Sequence, residues 1–266
     1  VQSTPQWREQ LAAEKFYNAN FAGWNELAAA VRAEQAKVPG MRLLADNFKS
    51  GAELGFALGD PDIPVLDHPL NHKHGRAPQL RLWGLQSDGS RDVPTLLVVG
   101  SSDVQYKSLL AYYHQLCEAL GPLPPPRVVN VDHGRQRFLL FTLPATRAVG
   151  ACSTPAFAWI DTPTSGADVD RQLQVTGWAF KDGEGLDRVE VLVNGKVAAS
   201  AEYGKPSPGT EAFWKVSNDP NHPDVGFSAS VDLSSATPGR HWLGLRLHGR
   251  DGSVEDWVEQ PIQVAK

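Results

Sequence analysis

Two groups of ionisable side chains come directly after short apolar stretches, at Ala45 and at Leu66. If these stretches are neighbouring parallel strands, both groups lie at one edge of a sheet, where ligands of α/β proteins bind. We therefore expect a ligand site in which Lys49, His68 and Arg76 are neighbours despite their separation in the chain. The residues predicted for this site are Asp46, Asn47, Lys49, Asp67, His68, His72, His74, Arg76, Gln79 and Trp83.

Anion binding is one chemistry that these residues could perform. Lys49 near a helix N-terminus, with Lys73 and Arg76 from the next segment, could hold a phosphate or pyrophosphate. Gln79 and Trp83 could hydrogen-bond to or stack on a sugar. The competing interpretation is a set of solvated surface charges, with Trp83 in the core, since neither GxGxxG nor a Walker sequence is present.

Metal binding and nucleophilic catalysis have weaker support. His68, His72 and His74 could ligate zinc together with Asp67. However, Lys73 raises the local positive charge and no HExxH motif is present, so neither a metal nor a cofactor is expected. The sequence Ser101-Ser102-Asp103 lacks the GxSxG pattern and is explained by a helix cap, so no catalytic residue is predicted.

The elements that must position the site alternate between helical and extended patterns over residues 1–150. Asn47 is expected to cap a helix in which Gly51, Gly55 and Gly59 leave a bare stripe for close packing. We predict a small three-layer α/β domain with a mostly parallel sheet: three parallel strands and an antiparallel hairpin at one edge. The expected helices begin at Pro5, Trp24, Asn47 and Val104, and the strands cover Met41–Ala45, Ile63–Leu66, Thr95–Val99, Arg127–Val131 and Gln136–Leu143.

Residues 151–266 lack helical patterns and predict an immunoglobulin-like β-sandwich. Asn194-Gly195 is a strong hairpin signal, and Trp178 and Trp242 are assigned to the sandwich core. In the long connection from Tyr203 to Val225, Phe213 and Trp214 could stack on a sugar, although packing is the favoured interpretation. The expected strands are Leu173–Phe180, Arg188–Val193, Val197–Glu202, Gly226–Leu233, His241–His248 and Val254–Val264.

Composition excludes several classes of protein. A hydrophobic content of 41% is sufficient for buried cores, and the net charge of -5 argues against nucleic-acid binding. No apolar run approaches the roughly 20 residues of a membrane-spanning helix. The two cysteines are Cys117 and Cys152. Either Cys117 is a buried core thiol on its helix, or it forms a disulfide with Cys152 that ties this helix to the segment leaving the first domain.

Three segments between Ala45 and Gly84 carry a resemblance to a known family: ADNFKSGAELGFAL, VLDHPLN and GRAPQLRLWG. They resemble the soluble carboxyl-terminal region of bacterial membrane glycosyltransferases of the protein O-mannosyltransferase and aminoarabinose-transferase type. The resemblance covers roughly the first 150 residues. The segments GWAF, VEVLVNG and PDVGFSASVDL look like immunoglobulin-like modules of bacterial envelope proteins.

This resemblance implies a domain on the periplasmic side of the inner membrane, attached to a transmembrane portion of the same polypeptide. Such an enzyme would use a polyprenyl-phosphate-linked sugar, and its catalytic acidic residues would lie among upstream membrane helices. The expected function of this chain is therefore non-catalytic: it helps to position the donor or acceptor glycan. The alternatives are a freestanding envelope carbohydrate-binding or adhesion protein that uses Phe213 and Trp214, and a metal-dependent hydrolase.

Overall fold

Six strands in the first half of the chain form one sheet. The computed structural model describes residues 4–14, 17 and 19–265. The strands are β1 (Arg42–Ala45), β2 (Val65–Leu66), β3 (Gln86–Ser87), β4 (Thr95–Gly100), β5 (Arg127–Val131) and β6 (Gln136–Leu143). Their order is β3-β2-β1-β4-β6-β5; the first four are parallel, and β6 and β5 add an antiparallel edge.

The parallel part of this sheet has one strand more than predicted. The additional strand, β3, contains two polar, half-buried residues that pair with Val65 and Leu66. Such a short polar strand has no hydrophobic alternation for sequence analysis to detect. The predicted hairpin at the other edge is confirmed, since all of β5 pairs with residues 136–140 of β6.

Six helices accompany this sheet: α1 (Pro5–Leu11), α2 (Trp24–Gln35), α3 (Phe48–Leu58), α4 (Pro69–Lys73), α5 (Ala77–Leu82) and α6 (Tyr106–Leu120). Asn47 caps α3 as predicted, because its side chain accepts hydrogen bonds from the backbone N–H groups of Lys49 and Ser50. A Cβ atom at Gly51 would lie 2.6 Å from Val65 Cγ1, so the glycine allows α3 to approach β2 closely.

Two predictions about loops and helix starts are wrong. The segment after Leu66 is not a loop, because α4 and α5 occupy most of it; Pro69 stands at the start of α4, and His68 Nδ1 accepts a hydrogen bond from Leu70 N. The helix expected from Val104 begins at Tyr106. Ser101 and Ser102 do not cap it, since their hydroxyl groups bond to the backbone of Arg137 on β6.

The second half of the chain forms two further sheets and one short helix, α7 (Pro208–Phe213). The strands are β7 (Phe157–Thr162), β8 (Asp168–Val169), β9 (Gln172–Phe180), β10 (Leu186–Val193), β11 (Lys196–Ser200), β12 (Glu202–Lys205), β13 (Gly226–Asp232), β14 (Gly239–Gly249), β15 (Val254–Asp256) and β16 (Gln260–Val264). One sheet has the order β11-β10-β14-β16-β8, with β15 paired to β14, and the other has the order β12-β13-β9-β7. The described residues contain 26% helix and 34% strand, so the chain is of mixed α/β class.

The Asn194-Gly195 turn joins β10 to β11 as predicted, with positive φ at both residues. The single strand expected over Val254–Val264 is divided into β15 and β16, because residues 257–259 lie outside the strands. Trp257 N still donates a hydrogen bond to Leu245 O on β14, and its ring packs against the guanidinium group of Arg137 from the first half. The expected connection after Tyr203 also contains structure, since β12 and α7 fall within it.

The assignment of two tryptophans to the sandwich core is wrong. Leu243 and Leu245 on β14 are buried in the apolar core, whereas Trp242 lies on the opposite face of that strand. Its ring stacks on His133, in the turn between β5 and β6, with the ring centroids 3.5 Å apart. Trp178 is half-buried at the surface of the other sheet. Both residues therefore face outward from the sheets that carry them.

Several bonds join the two halves. Cys117 on α6 forms a disulfide with Cys152, which resolves the two alternatives left open by the sequence. His114 and Asp182 are paired at 2.7 Å, and His133 Nδ1 lies 2.6 Å from Glu259 Oε2. Within residues 4–14, 17 and 19–265, no helix has the length and apolar character needed to cross a membrane.

Candidate ligand crevice

The carboxyl ends of β1, β2 and β4 meet at one edge of the first sheet. The chain runs from β1 outward to β2 and β3, and then returns to place β4 on the other side of β1. The β1–β4 gap is therefore a topological switch point, the position at which open α/β sheets bind ligands. Asp46 follows β1, His68 follows β2 and Asp103 follows β4. We call this region the crevice.

Asp46 lies at the base of the crevice and is fully buried. Its Oδ2 accepts hydrogen bonds of 3.2 Å from Gly100 N and from the Tyr112 hydroxyl group, while Oδ1 accepts one from Asn47 Nδ2. Burial raises the pKa of Asp46 to about 6, and the nearby carboxylate of Asp103 adds to the increase. These bonds tie the ends of β1 and β4 to α6, so Asp46 has a structural role.

Asp103 forms the wall above this base and pairs with Lys49. The distance from Lys49 Nζ to Asp103 Oδ1 is 2.5 Å, and both side chains are largely buried. Asp103 Oδ2 is buried and accepts no hydrogen bond from the described residues. A carboxylate oxygen in that position is costly unless a donor reaches it. This unpaired oxygen is enclosed by the protein beside Gly100 and Ser50, so a ligand in the cavity does not reach it without movement of the protein.

His68 provides a donor on the opposite side. Its Nδ1 accepts a hydrogen bond from Leu70 N, so the proton of the neutral ring resides on Nε2. Burial lowers the pKa of His68, whereas Asp103 and Asp67 act in the other direction. The ring packs edge-on against Tyr112 with the centroids 5.1 Å apart. At neutral pH we therefore expect an uncharged imidazole whose Nε2–H is a hydrogen-bond donor.

Asp103, His68 and Tyr112 border an open cavity of about 490 Å³, whereas Asp46 and Lys49 lie outside its lining. Its rim contains Lys73, Gln105, Ser108 and Gln115, all of which are exposed. The lining thus combines a carboxylate, a neutral imidazole and amide and hydroxyl groups. Such a mixture of donors and acceptors suits a ligand rich in hydroxyl groups. A phosphate deep in the crevice would face Asp103, because the charge of Lys49 is already paired.

The structure brings together only part of the predicted site. His68 borders the cavity, whereas Asp46, Asn47 and Lys49 lie at the same sheet edge but outside the cavity lining, with Asn47 used as the cap of α3. Arg76, Gln79 and Trp83 instead border a separate cavity of about 300 Å³ on the other side of Phe48 and Gly51. The expected grouping of Lys49 and His68 with Arg76 in one cavity is therefore not observed.

The remaining predicted residues lie at the surface. His72 Nε2 is 2.6 Å from Asp67 Oδ1, and both side chains are more than half exposed. His74 is exposed and its ring contacts Phe48. His68, His72 and His74 do not converge, and the described residues contain no group of three or more His, Cys, Asp or Glu side chains arranged to hold a metal ion.

Two residues of the crevice could not be assigned to it from the sequence. Tyr112 belongs to the apolar face of a predicted helix, and its hydroxyl group reaches Asp46 only because α6 crosses the sheet edge. Asp103 was interpreted as part of a helix cap, but the helix starts later and the carboxylate turns toward Lys49. The signal available was its position after a buried strand, the same signal that selected Asp46.

Comparison with known proteins gives no functional assignment. No family model and no curated protein matches the chain. Among solved structures, the fibronectin(III)-like modules of Clostridium thermocellum CbhA are 16% identical and cover 41% of this chain and 94% of their own, with a TM-score of 0.28. CopC from Methylosinus trichosporium OB3b is 14% identical, covers 41% of this chain and 93% of its own, and has a TM-score of 0.24.

A third similar structure is the endo-beta-1,4-mannanase from Thermotoga petrophila, at 9% identity and a TM-score of 0.31. It aligns with 97% of this chain, which spans 50% of the mannanase. All three scores are below 0.5, so these similarities carry no argument about activity or ligand.

Proposed function

We propose that this chain is the non-catalytic, periplasmic portion of a bacterial inner-membrane glycosyltransferase that uses a polyprenyl-phosphate-linked sugar. In this proposal the crevice holds the sugar of the donor or acceptor glycan, and the chemistry takes place in a transmembrane portion of the same polypeptide. The family resemblance of Ala45–Gly84 supports it, because that segment supplies His68 and Lys73 to the cavity and Asp46 to the adjoining sheet edge. The finer fold assignment belongs to the same proposal: a three-layer α/β domain over 1–150 and an immunoglobulin-like module over 151–266.

The observation that carries the proposal is the unused hydrogen-bonding capacity of the crevice. His68 provides a neutral N–H at the cavity, and the exposed residues Gln105, Ser108 and Gln115 add amide and hydroxyl groups at its rim. A sugar has vicinal hydroxyl groups that donate and accept at once, so it can bond to this mixture of groups. A purely apolar ligand could not do so.

The rim provides a place for the phosphate of a lipid-linked sugar. Lys73 is exposed at the mouth of the cavity, whereas Lys49 deeper in the crevice is neutralised by Asp103. We therefore expect the sugar to lie inside and the phosphate to remain near solvent, where one ammonium group can pair with it. This orientation would direct the lipid chain away from the domain.

A steric variant tests this proposal without disturbing the buried ion pair. Ser108 is exposed on α6 and borders the cavity, so Ser108→Trp should fill it. Lys107→Trp, one residue away and outside the cavity lining, is the matched control. Binding of a short-chain polyprenyl-phosphate sugar, measured by calorimetry, should weaken at least about tenfold in the first variant and remain unchanged in the second.

Two further variants separate the sugar from the phosphate. Lys73→Met should weaken the phosphorylated ligand while leaving the free glycan unaffected. Arg76→Met should affect neither ligand, because Arg76 borders the other cavity. Equal binding by the wild-type protein and Ser108→Trp would contradict the proposal.

The second candidate function is a freestanding envelope carbohydrate-binding or adhesion protein. The observation in its favour is Phe213, whose side chain is largely exposed beside the buried Trp214. The hydropathy of the complete reading frame distinguishes the two candidates. Many hydrophobic helices upstream of Val1 would support the glycosyltransferase, whereas a start codon or cleavable signal directly before Val1 would support the alternative.

A further inference from the structure

Another open cavity lies where α6, α7 and the sheet containing β7 and β9 meet. We call it the aromatic groove. Its volume is about 480 Å³. The residues important for its chemistry are Tyr106, Trp159, Asp161, Trp178, Phe213 and Trp214. None of them belongs to the crevice. The groove therefore presents a separate surface with a different chemical character.

The pleat of two paired strands places the indoles side by side. Trp159 on β7 is the register partner of Trp178 on β9. Alternation along β7 puts Phe157 and Trp159 on one face of the sheet, and Asp161, where the register with β9 shifts, also borders the groove. Phe157 is fully buried at one end of that face, whereas Trp159 is 51% exposed. The sheet face thus changes from a packed surface into an open aromatic platform.

α7 and the residue after it supply the opposite side of the groove. Phe213 is 59% exposed, while its neighbour Trp214 is 3% exposed and contacts Tyr106 and Phe157. Trp214 therefore anchors the segment, and the ring of Phe213 lies edge-on against it with the centroids 5.0 Å apart. The packing favoured from the sequence holds for Trp214, whereas Phe213 contacts Trp214 but leaves most of its surface exposed. Single exposed aromatics are ordinary in proteins, but aromatic groups that border one cavity are typical of binding sites.

Two polar groups in the groove have no partner. The indole N–H of Trp214 is buried beneath the groove and donates no hydrogen bond to the described residues. The carboxylate of Asp161 is exposed in the groove and forms neither a hydrogen bond nor an ion pair within the described part of the chain, and partial burial raises its pKa. An apolar peptide covering the groove would bury this carboxylate without a donor, which is unfavourable. A ligand with hydroxyl groups could donate hydrogen bonds to it.

We propose that the aromatic groove binds a pyranose ring of a neutral glycan. The C–H faces of the sugar lie against Trp159 and Phe213, and Asp161 accepts hydrogen bonds from its hydroxyl groups. Aromatic faces carry partial negative charge and attract the weakly positive C–H groups of a sugar. Among the described lining residues Asp161 carries the one formal charge, so uronic acids and phosphosugars are disfavoured. This inference does not depend on the function proposed for the crevice.

The test is a binding screen of the whole chain against neutral hexose and N-acetylhexosamine oligosaccharides, with an oligouronate as the charged comparison. Calorimetry measures affinity, and tryptophan fluorescence reports whether an exposed indole becomes covered. Trp159→Ala and Phe213→Ala should each weaken the neutral ligand at least about tenfold. Asp161→Asn should reduce the preference of the groove for the neutral over the uronate oligosaccharide.

Two exposed aromatics outside the groove are matched controls. Trp7 is 57% exposed and Phe56 is 90% exposed, so Trp7→Ala and Phe56→Ala remove similar surface without touching the groove. Both should retain wild-type affinity. The proposal is overturned if no neutral oligosaccharide binds saturably, or if binding survives Trp159→Ala and Phe213→Ala. Binding that is lost in Ser108→Trp but retained in Trp159→Ala would assign the glycan to the crevice and would also overturn it.

Discussion

The crevice and the aromatic groove share helix α6 as one wall, but they differ in how far their polar groups are paired. Helix α6 contributes Tyr112 to the crevice and Tyr106 to the groove. In the crevice, most of the ionisable side chains bond to one another, as Lys49 does to Asp103. In the groove, Asp161 and the Trp214 N–H are left unpaired beside exposed rings. Abundance of charged residues in a sequence is therefore a weaker indicator of a site than unpaired polar groups in a cavity.

The largest expected effect separates the anchor of the groove from its exposed surface. Trp214→Ala should lower the free energy of unfolding by about 3–5 kcal/mol, because it leaves a cavity among buried aromatic rings. Phe213→Ala should change it by no more than about 0.5 kcal/mol, since that side chain is mainly exposed. Chemical denaturation of both variants measures the difference. Similar losses of unfolding free energy in the two variants would mean that Phe213 is also part of the packed core. Its ring would then not be available to a ligand in the groove.

A second prediction concerns the buried carboxyl group at the base of the crevice. The unfolded Asp46 carboxyl group has its ordinary pKa of 3.8, whereas the folded one titrates at about 6. Between these values the folded protein holds a proton that the unfolded chain has lost, so the free energy of unfolding should decrease as the pH rises. The whole contribution is about 3 kcal/mol, lost between about pH 3 and pH 7, and about 2 kcal/mol of it falls between pH 4 and pH 6.5.

Denaturation across this pH range measures that slope. Asp46→Asn should remove this contribution, because the amide does not titrate. Asp62→Asn, at an exposed carboxyl group, should keep the wild-type pH dependence and serves as the control. A variant Asp46→Asn with an unaltered slope would show that Asp46 is not the buried, titrating group of the crevice.

The smallest expected effect compares two lysines of the same region. Lys49→Met leaves the buried carboxylate of Asp103 without its cation and should destabilise the protein by about 2 kcal/mol. Lys73→Met should stay within about 0.5 kcal/mol, since Lys73 is exposed at the rim. The double variant Lys49→Met/Asp103→Asn should recover part of the loss. Equal stability of the two lysine variants would mean that Lys49 is a free cation, available for an anion after all.

Much of the first sheet was predictable from the sequence because its strands and helix boundaries depend on local signals. Examples are the apolar runs after Met41 and Thr95 and the helix cap at Asn47, each of which acts within a few residues. The same holds in the second half of the chain for the Asn194-Gly195 turn. Strand β3 and the split between β15 and β16 were not predictable, since pairing with a neighbour defines them. The position of Trp242 was misassigned for a similar reason: alternation shows that a strand has two faces but not what covers each of them.

By itself, the sequence determined which residues follow the parallel strands, and hence that Asp46, Lys49 and His68 share one edge of the sheet. The tertiary structure decided which of them have partners, because hydrogen bonds and ion pairs form between residues that are distant in the chain. It also decided that Arg76 borders a different cavity and that Trp159 and Phe213 face each other across a groove. Local propensity fixes an element and the order of its residues, whereas long-range packing fixes the surroundings of each side chain.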